Sequence, residues 1–290
     1  MADLGVEEGS RAQLGVALAL VHTQAASDGR VLLAISSQGQ FGHSAFPEGA
    51  VHFVFVSHSA DEPNGEVSIL ESHRGSQFGA NATTAKFGRS LADVGDWNED
   101  DAEINDVLVG APGHGSGCIF LISPSEAFST SSAKLCGSEA TLGAMEDGAS
   151  FGSSLAWVRN RTVLVGATGA PGGGAMWILK LTRDLAVATA MKLDVSPFNL
   201  QDGDRFGAAV AVVHPDFDRS SKTLDIAVGA PHLDADYDDN AVEAGAVFII
   251  TINEDSGEII QHYKIQNFNV LPLHNPPITS FCFFDASCLL

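Results

Sequence analysis

Residues 96 to 106 read Asp96-Trp-Asn98-Glu-Asp100-Asp-Ala-Glu-Ile-Asn-Asp106, with oxygen side chains at the first, third and fifth positions and a carboxylate at the exit. Oxygen donors spaced this way in a tight turn can converge on one hard cation. The exit carboxylate closes the shell and a backbone carbonyl adds a ligand, which is the oxygen-rich coordination that calcium requires. The same residues also suit a solvated acidic hairpin tip, which needs no ion. A thinner version follows later in Asp216-Phe-Asp218-Arg-Ser220, exiting at Asp225, where Arg219 and Lys222 add positive charge. The turn Val158-Arg-Asn-Arg161 lacks such donors and reads as a plain hairpin. A further acidic stretch, His232-Leu-Asp234-Ala-Asp236-Tyr-Asp238-Asp239-Asn240, alternates in the same way but has no rigid turn residue, and reads as a solvated loop.

Catalytic chemistry has no comparable cluster. The ten histidines are scattered, with no His-Glu-x-x-His pair and no Gly-x-Ser-x-Gly elbow. Gly113-His114-Gly115-Ser116-Gly117 is glycine-rich, but it joins two strands and opens no helix, so it is no phosphate cradle. His114 reads as a loop-tip residue. The expectation is a chain that is not itself an enzyme.

The elements that must position these loops recur. Phe87-Gly88 leads to Val107-Leu-Val-Gly110-Ala-Pro112, and Phe206-Gly207 leads to Ile226-Ala-Val-Gly229-Ala-Pro231. Worn copies run from Phe151-Gly152 to Val163-Leu-Val-Gly166-Ala-Thr168 and from Leu14-Gly15 to Leu32-Leu-Ala-Ile-Ser-Ser37. Each continues into a third apolar strand opened by a small pair: Gly49-Ala50, Gly117-Cys118, Gly174-Ala175 and Gly245-Ala246. A repeat of roughly 55 to 75 residues built from short strands is the mark of a radial or stacked array.

Each unit reads as four strands. In the second they span about 89–94, 106–110, 118–122 and 133–136; in the fourth, about 208–213, 224–228, 247–252 and 258–265. Inner strands are runs of Val, Ile, Leu and Ala and should be covered on both faces. Outer strands mix charge with apolar residues, as an exposed edge should. A Phe before Gly can wedge between neighbouring sheets while its Gly lets another backbone approach. The Gly of Gly-Ala-Pro can take a positive φ at the strand end, and the Pro stops the ladder. The first unit, lacking both Phe and Pro, is expected to be the least regular.

This pattern resembles the FG-GAP repeat of integrin α-subunit β-propellers, over most of residues 11 to 266. The resemblance implies an all-β fold, a partial β-propeller of about four blades at 11–80, 81–145, 146–200 and 201–266, after an extension at 1–10 and before an irregular tail at 267–290. Family propellers usually close with about seven such blades. It also implies calcium ligands: Asp96, Asn98, Asp100, a carbonyl near Ala102, and Asp106, with Asp216, Asp218, Ser220 and Asp225 as a weaker set. Two departures stand out: the usual Gly after the third ligand is Asp101, and the loop is two residues longer before Asp106. What the family implies functionally is a calcium-binding protein-interaction or cell-adhesion module for a protein or extracellular-matrix ligand, extracellular or at the cell surface. The alternative is the accessory propeller of a hydrolase such as glycosylphosphatidylinositol-specific phospholipase D, whose catalytic domain would lie elsewhere.

Composition sets bounds. The 290 residues carry a formal charge of −21 and 45% apolar content. That charge argues against a nucleic-acid groove and against docking on anionic lipid. No apolar run approaches the length of a membrane span. The start lacks the basic and apolar regions of a secretory signal, which fits either a truncated sequence or an intracellular protein, truncation being preferred because the blade set also looks short. A short set either closes with fewer blades or exposes unpaired faces at its ends, to be covered by a second subunit or further blades. Cys118 and Cys136 fall where they can face each other across one ladder, as a disulfide or as two buried thiols. Asn81-Ala-Thr83 and Asn160-Arg-Thr162 match glycosylation acceptors, so a glycoprotein is also expected.

Overall fold

A computed structural model describes residues 13–23, 30–38, 49–59, 62–80, 84–99, 103–124, 133–214, 222–234 and 244–266. The expected extension and tail lie outside the described residues. Among the described residues, sixteen strands form four antiparallel sheets of four. The first comprises β1 (Gln13–Val21), β2 (Val31–Gln38), β3 (Ala50–Ser59) and β4 (Glu62–Arg74). The second comprises β5 (Ser90–Asp93), β6 (Val107–Ala111), β7 (Cys118–Ile122) and β8 (Lys134–Cys136). The third holds β9 (Phe151–Arg159), β10 (Thr162–Ala167), β11 (Ala175–Leu181) and β12 (Val187–Lys192). The fourth holds β13 (Ala209–His214), β14 (Thr223–Ala230), β15 (Ala246–Asn253) and β16 (Ile259–Ile265).

In every sheet the strands lie side by side in chain order. The four first strands stand together: β1 packs on β5, β5 on β9, and β9 on β13. All four line one cavity of about 340 Å³. The chain is therefore an all-β, propeller-like array of four blades around a central channel. Three apolar clusters fill the three junctions. Val21, Phe53, Phe87 and Phe120 belong to the first, Trp97, Ile119, Phe151 and Trp177 to the second, and Ile178, Phe206 and Phe248 to the third.

Burial separates inner blades from end blades. Every residue of β6, β7 and β10 is buried, as uninterrupted apolar strands covered on both faces should be. In the fourth blade β15 alternates strictly between buried and half-buried, and β2 in the first blade does so over most of its length. Those sheets turn one face to a neighbour and leave the other partly open. Leu14 and Leu20 on β1 and Val213 on β13 stand 50%, 53% and 51% exposed. Among the described residues no fourth apolar cluster joins the last blade to the first.

The repeat signature is the junction itself. Phe87, Phe151 and Phe206 are fully buried. Each lies against the glycine that opens the third strand of the preceding blade: a Cβ at Gly49, Gly117 or Gly174 would sit 2.0, 2.2 or 2.3 Å from the carbonyl oxygen of Phe87, Phe151 or Phe206. The Gly after each Phe does let another backbone come close, with a Cβ at Gly152 or Gly207 falling 2.8 Å from the Cys118 oxygen or 2.5 Å from the Ala175 oxygen, but the positive φ expected at the Gly of Gly-Ala-Pro is found here instead. The Gly after each Phe holds the positive φ, 84° at Gly88, 85° at Gly152 and 87° at Gly207, because the chain turns sharply there to enter the inner strand. The Gly of Gly-Ala-Pro has no positive φ at Gly110 or Gly166 and is needed for space. A Cβ there would lie 2.2 Å from the Gly152 oxygen or 2.0 Å from the Gly207 oxygen of the next blade. Ser90 and Ser154 donate hydrogen bonds to those same oxygens at 2.8 and 2.7 Å, so the second and third junctions also carry a buried polar tie.

The first sheet departs from expectation. Its strands of 9, 8, 10 and 13 residues are the longest set in the array, and its ladders shift register only locally. What it lacks is a packed entry: Gly15 has positive φ but nothing within 4 Å of where its Cβ would be. The missing Phe therefore shows at the open face rather than in the hydrogen bonding. Cys118 and Cys136 are directly paired across β7 and β8 and form a disulfide.

Candidate functional site

Asp93 ends β5 opposite Val107, which begins β6, so residues 94–99 and 103–106 lie in the connection between them on one rim of the array. Of the residues expected to hold calcium, Asp96, Asn98 and Asp106 are described; Asp100 and Ala102 lie outside the described residues. Asp106 is buried, and its Oδ2 accepts hydrogen bonds from the backbone N–H of Trp97 at 2.8 Å and of Asn98 at 3.0 Å. The exit carboxylate thus reaches back across the turn and fixes the backbone on either side of the Trp97–Asn98 peptide. Asn98 Nδ2 donates to Ser123 Oγ at 3.0 Å, which settles the direction of that amide. Asp106 and Asn98 are therefore brought into one turn, while Asp96 sits at its start.

This donor set fits a hard, oxygen-seeking cation. A carboxylate has about four acceptor positions, and two on Asp106 go to backbone donors. Among the described residues no three His, Cys, Asp or Glu side chains cluster as a metal shell. The amide of Asn98 and the backbone carbonyls stand outside that count, as does Asp100.

Five residues that brace the loop, Trp97, Arg161, Asp93, His22 and Asn105, were not singled out in the sequence. Trp97 is 1% exposed and packs into the junction between the second and third blades, its Nε1 donating to the Arg183 carbonyl at 3.0 Å. Arg161, at the tip of the third blade's first hairpin, donates through Nε and Nη2 to the Trp97 carbonyl and through Nη2 to Glu99. That guanidinium holds the Glu99 carboxyl below its usual range, by hydrogen bonding first and by its charge second. On the other side Asp93 accepts from the His22 backbone N–H at 2.9 Å and meets His22 Nδ1 at 2.6 Å, while its Oδ1 accepts from Asn105 Nδ2 at 2.9 Å. The loop is pinned to both neighbouring blades. One sequence signal pointed there: a tryptophan inside a run of acids has to be buried somewhere.

The reading of Val158 to Arg161 as a plain hairpin holds for its backbone, since Asn160 and Arg161 both have positive φ in the tight turn. It misses Arg161's reach into the next blade. Asn160, one of the glycosylation acceptors, is exposed at that tip and Thr162 is buried beneath it; the other, Asn81, lies outside the described residues. In the fourth blade Asp216, Asp218 and Ser220 lie outside the described residues too. The exit residue Asp225 is described, and it accepts a hydrogen bond from Thr251 at 2.6 Å. Lys222 pairs with Asp255 on the neighbouring turn, raising the lysine and lowering the carboxyl through their hydrogen bond. Of the acidic stretch after His232, only His232, Leu233 and Asp234 are described.

His114 is half-buried in the β6–β7 turn, its ring centroid 6.5 Å from that of Phe120. Burial, and then the charge of Lys134, hold it below the usual histidine range. No helix among the described residues is long and apolar enough to cross a membrane. Compared with known proteins, the chain matches no family model and no curated protein.

Proposed function

We propose that this chain is an FG-GAP-type, integrin-α-like interaction module: a rigid array that presents loops from several blades to a protein or extracellular-matrix ligand, with calcium stiffening one rim. The observation that carries the reading is the Phe-to-Gly interlock repeated at three junctions, which ties the signature residues to a radial scaffold whose turns emerge together. Loops on such a scaffold are where binding resides. Calcium would be held by Asp96, Asn98, Asp100, the Ala102 carbonyl and Asp106, and by Asp216, Asp218, Ser220 and Asp225 in a weaker site. When bound, the ion supplies charge neutralisation and cross-links the loop. The chain's own part is to pre-set the turn, with Asp106 closing it and Trp97 anchoring it.

The test is a calcium titration of the melting temperature, followed by capture on immobilised matrix proteins with and without calcium. Extracellular modules bind calcium with Kd of about 10⁻⁴ to 10⁻³ M. Millimolar ion at the tight end of that range adds about 1.4 kcal/mol. Asp96→Ala with Asp100→Ala should remove the gain and the calcium-dependent capture, while Asp216→Ala with Asp218→Ala should matter less. Equal response in wild type and the first variant, or none in either, overturns the calcium assignment. Capture by no matrix protein in any condition overturns the adhesion reading.

A further inference from the structure

We propose that the mouth of the central channel, on the rim opposite the acidic loop, binds a small, multiply charged oxyanion of the phosphate class. A cavity of about 400 Å³ opens there, and Lys86, Arg89 and Arg205 line it with Ser150, Ser153 and Thr168, the Ser150 and Ser153 hydroxyls donating to the Gly148 and Ser150 carbonyls. Among the described residues no carboxylate lines it, in a chain with 36 acidic and 15 basic residues. The channel beneath shares Arg89, Ser153, Ala208 and Pro231 with it, so the basic mouth leads into the axis of the array.

The fold explains why these side chains meet. Lys86, Ser150 and Arg205 are the residues immediately before the three buried phenylalanines, and all hold positive φ, at 51°, 60° and 57°. Each begins a tight turn that closes three residues on, by Arg89 N–H to Lys86 O, Ser153 N–H to Ser150 O and Ala208 N–H to Arg205 O. With the Phe locked in the junction, the residue before it is forced to the rim near the axis. The repeat therefore delivers one such side chain from each of the second, third and fourth blades to the same opening. The second blade delivers Lys86 and adds Arg89 at the close of its turn. The fourth delivers Arg205, and the third delivers the small Ser150, which leaves room between the cations.

All three cationic residues are exposed, and among the described residues none pairs with a carboxylate. Unpaired cations gathered against a chain of overall negative charge repel one another and lack a local counter-ion. An oxyanion relieves both, and guanidinium groups can engage two of its oxygens at once. A concave opening lined by one sign of charge focuses that local field against the long-range repulsion. A cavity of this size suits a di- or triphosphate rather than a lone monovalent ion.

The probe is sodium tripolyphosphate, titrated by calorimetry into the full chain at low and at near-physiological salt. Saturable one-to-one binding is expected, weakened by salt. Arg89→Ala with Arg205→Ala, at exposed positions, should lose about tenfold or more in affinity, and Lys86→Gln less. Lys180→Ala removes one charge from the opposite rim and should leave affinity unchanged. Absence of saturable binding to wild type overturns the proposal, as does equal weakening by Lys180→Ala. Binding of heparin without binding of tripolyphosphate also overturns it, because the cations would then serve an extended polyanion across the rim rather than a cavity ligand.

Discussion

Arg161 donates two hydrogen bonds, at 3.1 and 3.0 Å, to the carbonyl oxygen of Trp97, a residue 64 positions earlier and one blade away. One side chain from a two-residue turn thereby fixes the backbone of the neighbouring acidic loop beside the position that Asp106 fixes from within. Because the guanidinium is 28% exposed, solvent screens part of its value. Arg161→Ala should cost about 1–2 kcal/mol in urea denaturation, given that hydrogen bonds from charged donors contribute about 1.5–3 kcal/mol before that screening. Arg161→Lys should recover little, since an ammonium cannot span the same carbonyl and Glu99 in a planar fork.

Gly117, in a junction, and Gly15, outside one, make unequal forecasts for one chemical change. At Gly117 an added methyl would lie 2.2 Å from the Phe151 oxygen, at a φ of +97°. Gly117→Ala should therefore lose about 3 kcal/mol or more, because backbone on both sides must move. At Gly15 the φ is +82° but the space is open. Gly15→Ala should cost only the left-handed backbone term, about 1 kcal/mol. Chemical denaturation of the two variants compares them directly.

The Cys118–Cys136 bond closes a loop with a sequence separation of 18 between two directly paired strand residues. Chain-entropy arithmetic for a loop of that size gives about 3 kcal/mol. Reduction, or Cys136→Ala, should lower the urea midpoint accordingly and should open the second blade's outer edge first, read as faster amide exchange in β8.

His52 supplies a pH dependence. Its Nε2 lies 3.0 Å from Ser37 Oγ and its Nδ1 2.8 Å from Ser72 Oγ, across the middle of the first blade. Burial first, and the charge of Arg74 second, hold it below its ordinary value of 6.5. The unfolded chain therefore binds a proton that the folded chain resists. The stability from neutral His52 is complete above about pH 6.5 and is lost as pH falls toward the lower folded value. His52→Gln, which keeps hydrogen-bonding capacity without titrating, should flatten the fall in melting temperature over that interval. His114 is shifted in the same direction and adds to the same slope.

The array was legible in the sequence because its information is local and repeated. A buried Phe, a turn glycine and a strand of Val and Ile recur in the same order, and Phe87, Phe151 and Phe206 sit where that order puts them. The acidic loop was legible as a list of oxygens. Arg161 and His22 were not, because their importance lies in what a neighbouring blade brings opposite them, and nothing in a two-residue turn encodes its neighbour. Gly110 and Gly166 were assigned a positive φ rather than their real need for space for a similar reason: close approach is a property of two segments, and the sequence shows one at a time. The basic mouth escaped notice because Lys86, Arg89 and Arg205 are dispersed over 119 positions and converge only through the repeat.

The contact between Gly49 and Phe87, repeated by Gly117 with Phe151 and Gly174 with Phe206, runs one way along the chain: each blade offers the hollow and its successor fills it. A joint with a donor end and a receiver end makes every blade a cassette. Removing the segment from Phe87 to Gly117 and its outer strands would bring Phe151 to Gly49, a pairing with the same parts in the same order. Unequal crossing-over between such segments would change the number of blades without inventing a new joint. The geometry is thus tolerant of blade number: the chemistry of each seam is indifferent to how many seams there are.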